Sequence, residues 1–237
     1  MGRTSMGKYD DYRREVLEVS QRLSEHGYFG TRSGSAGNVS VLIEGEDAIA
    51  VTAHGIPYAE MTTDDICIMD LDLTPIEAGR DPSVEAPLHV AVYKNRRDVN
   101  AVVHSHQIYA SVFSILNEPI PPLFDEVTVA IGSMVEVVPY GVSGSPQLLE
   151  NVVSKLDNRC HCYLLQNHGA LCIGRNLENT VKYVELLEKT ASIYYRAIAT
   201  GRPVTTLPDP LPDVLFGFVK REQDEEIARK DGRPRPE

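Results

Sequence analysis

The sequence predicts a single mixed domain of the α/β (α+β) class. Three observations lead to it. Helical and strand periodicities are interspersed along the chain, not segregated into blocks. Two apolar runs at 39–43 and 48–52, separated by Glu44-Gly45-Glu46-Asp47, have the spacing of an antiparallel hairpin. No linker and no internal repeat interrupts residues 8–200 of the 237.

Each element follows from local pattern. Residues 1–7 are small and polar and are expected to fray. Over 9–27, Val16, Leu17, Val19 and Leu23 fall at helical spacing and Gly27 stops the helix. Residues 30–38 are too rich in Gly and Ser for a regular element. The hairpin strands follow, then a short strand at 66–69. Asp81-Pro82-Ser83 leads into a helix over 83–95. Residues 101–106 form a strand running into a helix at 107–116, which Asn117-Glu118-Pro119 breaks. Further apolar runs occupy 127–130 and 134–138. The turn at 140–144 precedes a helix over 145–156. A buried strand at 162–165, the turn Asn167-His168-Gly169 and a strand at 170–173 lead to a long helix over 177–200. Residues 201–237 change character. They are Pro-rich and end in charges, which predicts an arm with a short helix near 214–219 and a solvated tail.

Composition excludes several classes. Lys plus Arg number 23 against 34 Asp plus Glu, a formal net charge of -11. Nucleic-acid binding and binding to anionic membranes rest on excess cationic side chains, so neither is expected. No apolar run approaches the roughly 20 residues of a membrane-spanning helix. The N-terminus has no apolar stretch after its basic residues and does not read as a secretory signal. Four cysteines in a chain of this length do not suggest a disulfide scaffold. A cytoplasmic protein with free thiols is the expectation.

Candidate chemistry begins at His104-Ser105-His106. Side chains two apart on a strand point the same way, so this pair presents two imidazoles to one point. That is a fragment of a site for zinc or a related divalent metal, or else two incidental histidines at a strand–helix junction. His168, beside Gly169 after an apolar strand, reads as a ligand or as a turn residue. Glu85, in the first turn of a helix, reads as a ligand and proton shuttle or as a helix-dipole partner. Together, three neutral imidazoles and a carboxylate make a complete ligand set.

The ordered motifs Gly37-Asn38-Val39-Ser40, Thr52-Ala53-His54-Gly55-Ile56-Pro57-Tyr58, Pro82-Ser83-Val84-Glu85, His104-Ser105-His106 and Asn167-His168-Gly169 resemble the class II aldolase/adducin family, on its sugar-phosphate aldolase side. The match spans residues 8–200. The resemblance implies a three-layer αβα sandwich around a mainly antiparallel sheet, and a homotetramer with active sites at subunit interfaces. It implies Zn²⁺, or Mn²⁺, Co²⁺ or Fe²⁺ in its place, on His104, His106 and His168, with Glu85 as catalytic acid/base. It implies phosphate contacts from Gly37, Asn38, Gly55 and Ser83. The implied reaction is retro-aldol cleavage of a phosphorylated ketose to dihydroxyacetone phosphate and an aldehyde, with the metal stabilising the enediolate. Backbone N–H groups of the Gly-rich loop would hold phosphate without excess Lys and Arg. Residues 1–200 would then be the catalytic domain and 201–237 the arm.

Three departures from the family pattern stand out. His54 replaces a hydroxyl residue and is either a substitute phosphate or carboxylate donor or an uninvolved turn residue. Val84 replaces a Ser. The family's proton-donating Tyr from a neighbouring subunit is absent. Asp125 and Glu126 occupy that region, as acids with burial-raised pKa or as surface carboxylates. The apolar arm and the missing Tyr suggest a deoxy- or thio-sugar substrate. Two other readings remain at this point: a metal-dependent decarboxylase of a hydroxy- or keto-acid, and a non-catalytic adducin-like module, against which the full ligand set argues.

Overall fold

Seven strands form one sheet in the order β3-β2-β1-β4-β7-β6-β5. They are β1 (Asn38–Leu42), β2 (Ala48–Val51), β3 (Cys67–Asp70), β4 (Ala101–Ser105), β5 (Glu136–Val138), β6 (Cys162–Leu165) and β7 (Gly169–Gly174). Every pairing is antiparallel except β5 with β6. The computed structural model describes residues 7–31 and 33–234, so the fraying expected of residues 1–6 lies outside the described residues.

Strand alternation divides the core in two. Val39, Val41, Ala101, Val103, Ala170 and Cys172 face one side. There they meet α1 (Asp10–Glu25), α3 (Ile108–Leu116), α4 (Asp125–Ile131) and α6 (Leu177–Ile198) through Val16, Phe113, Ile131 and Val184. Val51, Val102, Tyr163, Leu171 and Ile173 face the other side. They pack on α2 (Ala86–Asn95), α5 (Pro146–Val153) and α7 (Leu211–Lys230) through Leu88, Val152 and Phe216. Helices on both faces of a mainly antiparallel sheet give the three-layer sandwich expected from the sequence.

Two elements differ from the sequence reading, and one run without an assignment there takes a definite form. Helix α2 starts at Ala86, not 83, because residues 81–83 continue the sheet instead. Ser83 N donates to Thr52 O (3.0 Å), His54 N to Asp81 O (2.9 Å), and Ala53 bridges Pro82. Glu85 thus becomes the residue preceding the helix, and its side chain makes no cap hydrogen bond. The apolar run 127–130 is helical, with Val127 and Ile131 one turn apart and both buried. The short helix near 214–219 extends to 20 residues as α7. Its inward side carries Phe216, Val219, Gln223 and Ala228. A glutamine and an alanine in place of larger apolar residues weaken the amphipathic signal.

Candidate metal centre

One edge of the sheet gathers the start of β1, the ends of β2, β4 and β6, and the start of β7. Register accounts for this, with Asn38 opposite His104, Ser105 opposite Ala170, and Leu165 opposite Gly169. His104 and the residue two on, His106, lie at the end of β4, and His168 sits in the three-residue β6–β7 turn. Their ligand atoms lie within 4.8 Å of one another. His106 Nε2 is 2.9 Å from His104 Nε2. His104 Nδ1 donates to the Ala170 carbonyl (2.9 Å), which leaves the Nε2 lone pair free for a cation.

Two glycines permit this approach. At Gly37 (φ 75°), an added Cβ would come 2.5 Å from the Phe29 ring and 2.9 Å from the His104 carbonyl oxygen. At Gly169, a Cβ would strike the Ser105 carbonyl oxygen and come 3.3 Å from His104 Cε1. Only a residue lacking Cβ lets these two loops close on the histidines. Tyr58 Oη donates to the Gly37 carbonyl (2.6 Å) and fixes the loop.

Glu85 completes the cluster. Its Oε2 is 3.2 Å from His104 Nε2 and its Oε1 is 3.5 Å from His168 Nε2. Asn38 Nδ2 donates to Oε2 (3.0 Å) and Ser143 Oγ to Oε1 (2.8 Å). Burial pushes this carboxyl up, but the attraction of the His104 and His168 rings when they carry a proton, and the two donated hydrogen bonds, outweigh it and hold it at about 2. A divalent cation in the same place acts in the same direction. Burial first, then neighbouring imidazole charge, lowers His106 to about 3 and His168 to about 4. Both rings are therefore neutral at pH 7, the form a metal requires. Among the described residues, His168 Nδ1 is buried with no hydrogen-bond partner. Imidazole nitrogens converging beside an ionised carboxylate fit a divalent cation.

The other expected residues divide. Gly37, Asn38 and Ser83 lie beside Glu85, and Ser83 Oγ accepts from Glu85 N (3.3 Å). His54 and Gly55 follow at the end of β2, where the His54 side chain is exposed. Asp125 and Glu126 are not brought to the histidines of their own chain. They open α4, both exposed, and Glu126 pairs with Lys189 (2.6 Å). Cys162 is fully buried in the core, as expected. Ser143 escapes the sequence reading. It sits 58 residues from Glu85 in a turn without periodicity, so nothing local marks its hydroxyl.

The Class II Aldolase and Adducin N-terminal domain model matches residues 14–195. L-fuculose phosphate aldolase of Escherichia coli O6:H1 is 37% identical over 196 residues, 83% of this chain and 88% of that protein. The 5-methylthioribulose-1-phosphate/5-deoxyribulose-1-phosphate aldolase of Escherichia coli O45:K1 is 35% identical, over 76% of this chain and 83% of that one. A solved L-fuculose 1-phosphate aldolase superposes with a TM-score of 0.82 at 31% identity, covering 92% of this chain and all of the other. With its five motifs gathered at one sheet edge, the chain belongs to the class II aldolase/adducin family, as an enzyme of that family's carbon–carbon lyase kind.

Proposed function

We propose that this protein cleaves a phosphorylated ketose to dihydroxyacetone phosphate and an aldehyde, using a divalent cation held by His104, His106 and His168. The observation that carries the reading is the cluster of three imidazoles, two of them set against the Glu85 carboxylate. Zn²⁺ suits this nitrogen-rich set best, with Mn²⁺, Co²⁺ or Fe²⁺ as substitutes. When bound, the cation supplies a Lewis acid for the substrate carbonyl and for the negative charge that cleavage leaves on the ketone fragment.

The chain's own groups do the rest. Glu85 rests as a carboxylate and moves the proton at the carbon that loses its bond to the aldehyde. Ser143 and Asn38 hold its two oxygens apart and aimed. The amide of Asn38 keeps one N–H free after serving Glu85, and that N–H, with the loop at Gly37, His54, Gly55 and Ser83, takes the phosphate. In the cleavage direction a base accepts the proton of the hydroxyl that becomes the aldehyde. Asp125 or Glu126 of an adjoining subunit takes this role, in a homotetramer whose sites lie between subunits. The names of the relatives support a ketose 1-phosphate, of the fuculose or the deoxy- or methylthio-ribulose type.

The test has two arms. Purified protein should carry about one zinc-like ion per chain, lost in His104→Ala. A panel of ketose 1-phosphates, coupled to detection of dihydroxyacetone phosphate, should reveal cleavage that Glu85→Gln lowers about 10²- to 10⁴-fold in kcat. Release of CO₂ from a keto-acid panel, with no ketose cleavage, would replace this reading with the decarboxylase.

A further inference from the structure

Two periodicities bring four polar side chains together beneath Glu85. Glu85, His89 and Tyr93 are four apart along α2 and its N-cap, and so share one helix face. Asn38 and Ser40 are two apart on β1 and share the sheet face that α2 covers. His89, Ser40 and Tyr93 do not touch the three imidazoles, yet they are fully or almost fully buried. Buried polar groups of this kind cost free energy unless each finds a partner. Here each does.

The contacts form a line. Tyr93 Oη lies 2.7 Å from Ser40 Oγ, and Ser40 Oγ lies 2.7 Å from His89 Nδ1. His89 Nε2 lies 2.5 Å from Asn38 Oδ1, and Asn38 Nδ2 lies 3.0 Å from Glu85 Oε2. Donor and acceptor chemistry gives the line one direction. A carboxylate only accepts, so Asn38 must turn its NH₂ to Glu85 and its carbonyl to His89. That carbonyl needs a donor, so His89 carries its proton on Nε2. Its Nδ1 then accepts from the Ser40 hydroxyl, which in turn accepts from Tyr93. Four hydrogen bonds in sequence all donate toward the Glu85 carboxylate.

We propose that His89 is a positioning residue for Glu85: as the Nε2–H tautomer, with its Nδ1 held by Ser40 and Ser40 held by Tyr93, it fixes the Asn38 amide, which in turn aims the carboxylate at the metal centre. Without it the amide is free to flip and present its oxygen to Glu85, an acceptor facing an acceptor. Burial above all lowers His89 to about 3, so the ring keeps a single proton across the neutral range. Burial raises Tyr93 well above its ordinary value, so its hydroxyl remains a donor. Because buried hydrogen bonds in a chain polarise one another, the line behaves as a unit and not as four separate contacts.

The catalytic part of this inference rests on the aldolase reading; the tautomer does not. Imidazole ¹⁵N shifts of the metal-free protein at pH 7 should report His89 as Nε2–H with a bare Nδ1, and the Nδ1–H tautomer would overturn the proposal. Where wild type cleaves a ketose 1-phosphate, His89→Leu should lower kcat about ten- to hundred-fold. KM should change less, and metal content should remain that of wild type. His89→Gln, whose amide can donate to Asn38, should recover most of the loss. Ser40→Ala keeps the strand and removes only the hydroxyl, so it serves if His89→Leu does not fold, and a several-fold fall in kcat is expected. Wild-type kcat in folded His89→Leu or in Ser40→Ala overturns the positioning role. A wild type that cleaves nothing counts against the aldolase reading, and the tautomer then decides alone whether the line exists.

Discussion

Glu85 owes its state to the residues that touch it. Its carboxylate faces two imidazoles and accepts from a serine and an asparagine, so it is ionised although buried. An isolated buried carboxylate would instead be pushed toward the neutral form. Gly169 matters for a steric reason, because its missing Cβ leaves room for the Ser105 carbonyl and the His104 ring. Gly169→Ala should therefore move the His168 turn away from β4. We expect a loss of about 1–3 kcal/mol in stability from overpacking. Zinc affinity, read by competition with a chromogenic chelator, should weaken about tenfold or more as the ligands lose register. His104 and His106 are legible in the sequence because strand alternation is a strict period of two. His168 is less so, since a turn has no period, and it is the family resemblance that singles it out. Ser143 is not legible at all, because its contact with Glu85 depends on how two distant turns meet.

Helices and strands were legible wherever their apolar residues repeat with the element's own period. Short continuous apolar runs, buried on both faces, mark β2, β4, β6 and β7 as strands, while β1, α1 and α6 carry such a repeat. Helix α7 does not, because much of what holds it is polar. Gln223 Nε2 donates to the Arg159 carbonyl (2.9 Å) and lies 2.8 Å from His161 Nε2, and Gln223 Oε1 accepts from Arg159 Nε (2.9 Å). Nearby, Arg96 and Asp98 form a bidentate ion pair that leaves each side chain about 5% exposed or less (2.8 Å for Nη2 to Oδ2). Arg96 also donates to the Cys160 and Arg159 carbonyls, tying the segment after α2 to the strand edge under α7. Desolvation raises the Asp98 carboxyl, but the hydrogen bonds and charge of Arg96 outweigh it and leave it below its ordinary value of 3.8. A carboxyl depressed in the folded state adds stability above its unfolded value and loses it as pH falls through the folded one. Wild type should thus lose stability as pH drops below about 4, read from urea midpoints. Asp98→Asn should cost about 3–5 kcal/mol at pH 7, because it leaves the Arg96 charge buried and unpaired. Its urea midpoint should also depend less on pH in the acid range. Equal acid slopes in both proteins would show that the pair contributes nothing to acid unfolding.

Across the whole molecule, a net charge of -11 coexists with a site suited to an anionic substrate. On the proposed function, loop amides and a bound cation would meet that anion, and neither appears in a count of Lys and Arg. No helix among the described residues is long and apolar enough to cross a membrane. Helix α3 nevertheless leaves Ile108, Ile115 and Leu116 exposed, apolar surface of the kind that subunit contacts cover. Light scattering should give a mass of four chains. If the proposed tetramer carries Asp125 and Glu126 to a partner's histidines, an Ile108→Asp, Ile115→Asp double variant should lower that mass, keep its zinc and lose cleavage. A variant that is monomeric and fully active would remove the adjoining subunit from the chemistry. The most direct measurement of the central claim is cleavage of ketose 1-phosphates by one preparation before chelation, after it, and after Zn²⁺ is returned. The metal-centred account predicts dihydroxyacetone phosphate release that disappears with the metal and returns with it. Cleavage that persists in fully demetallated protein, or no cleavage of any ketose 1-phosphate by zinc-replete protein, would contradict it.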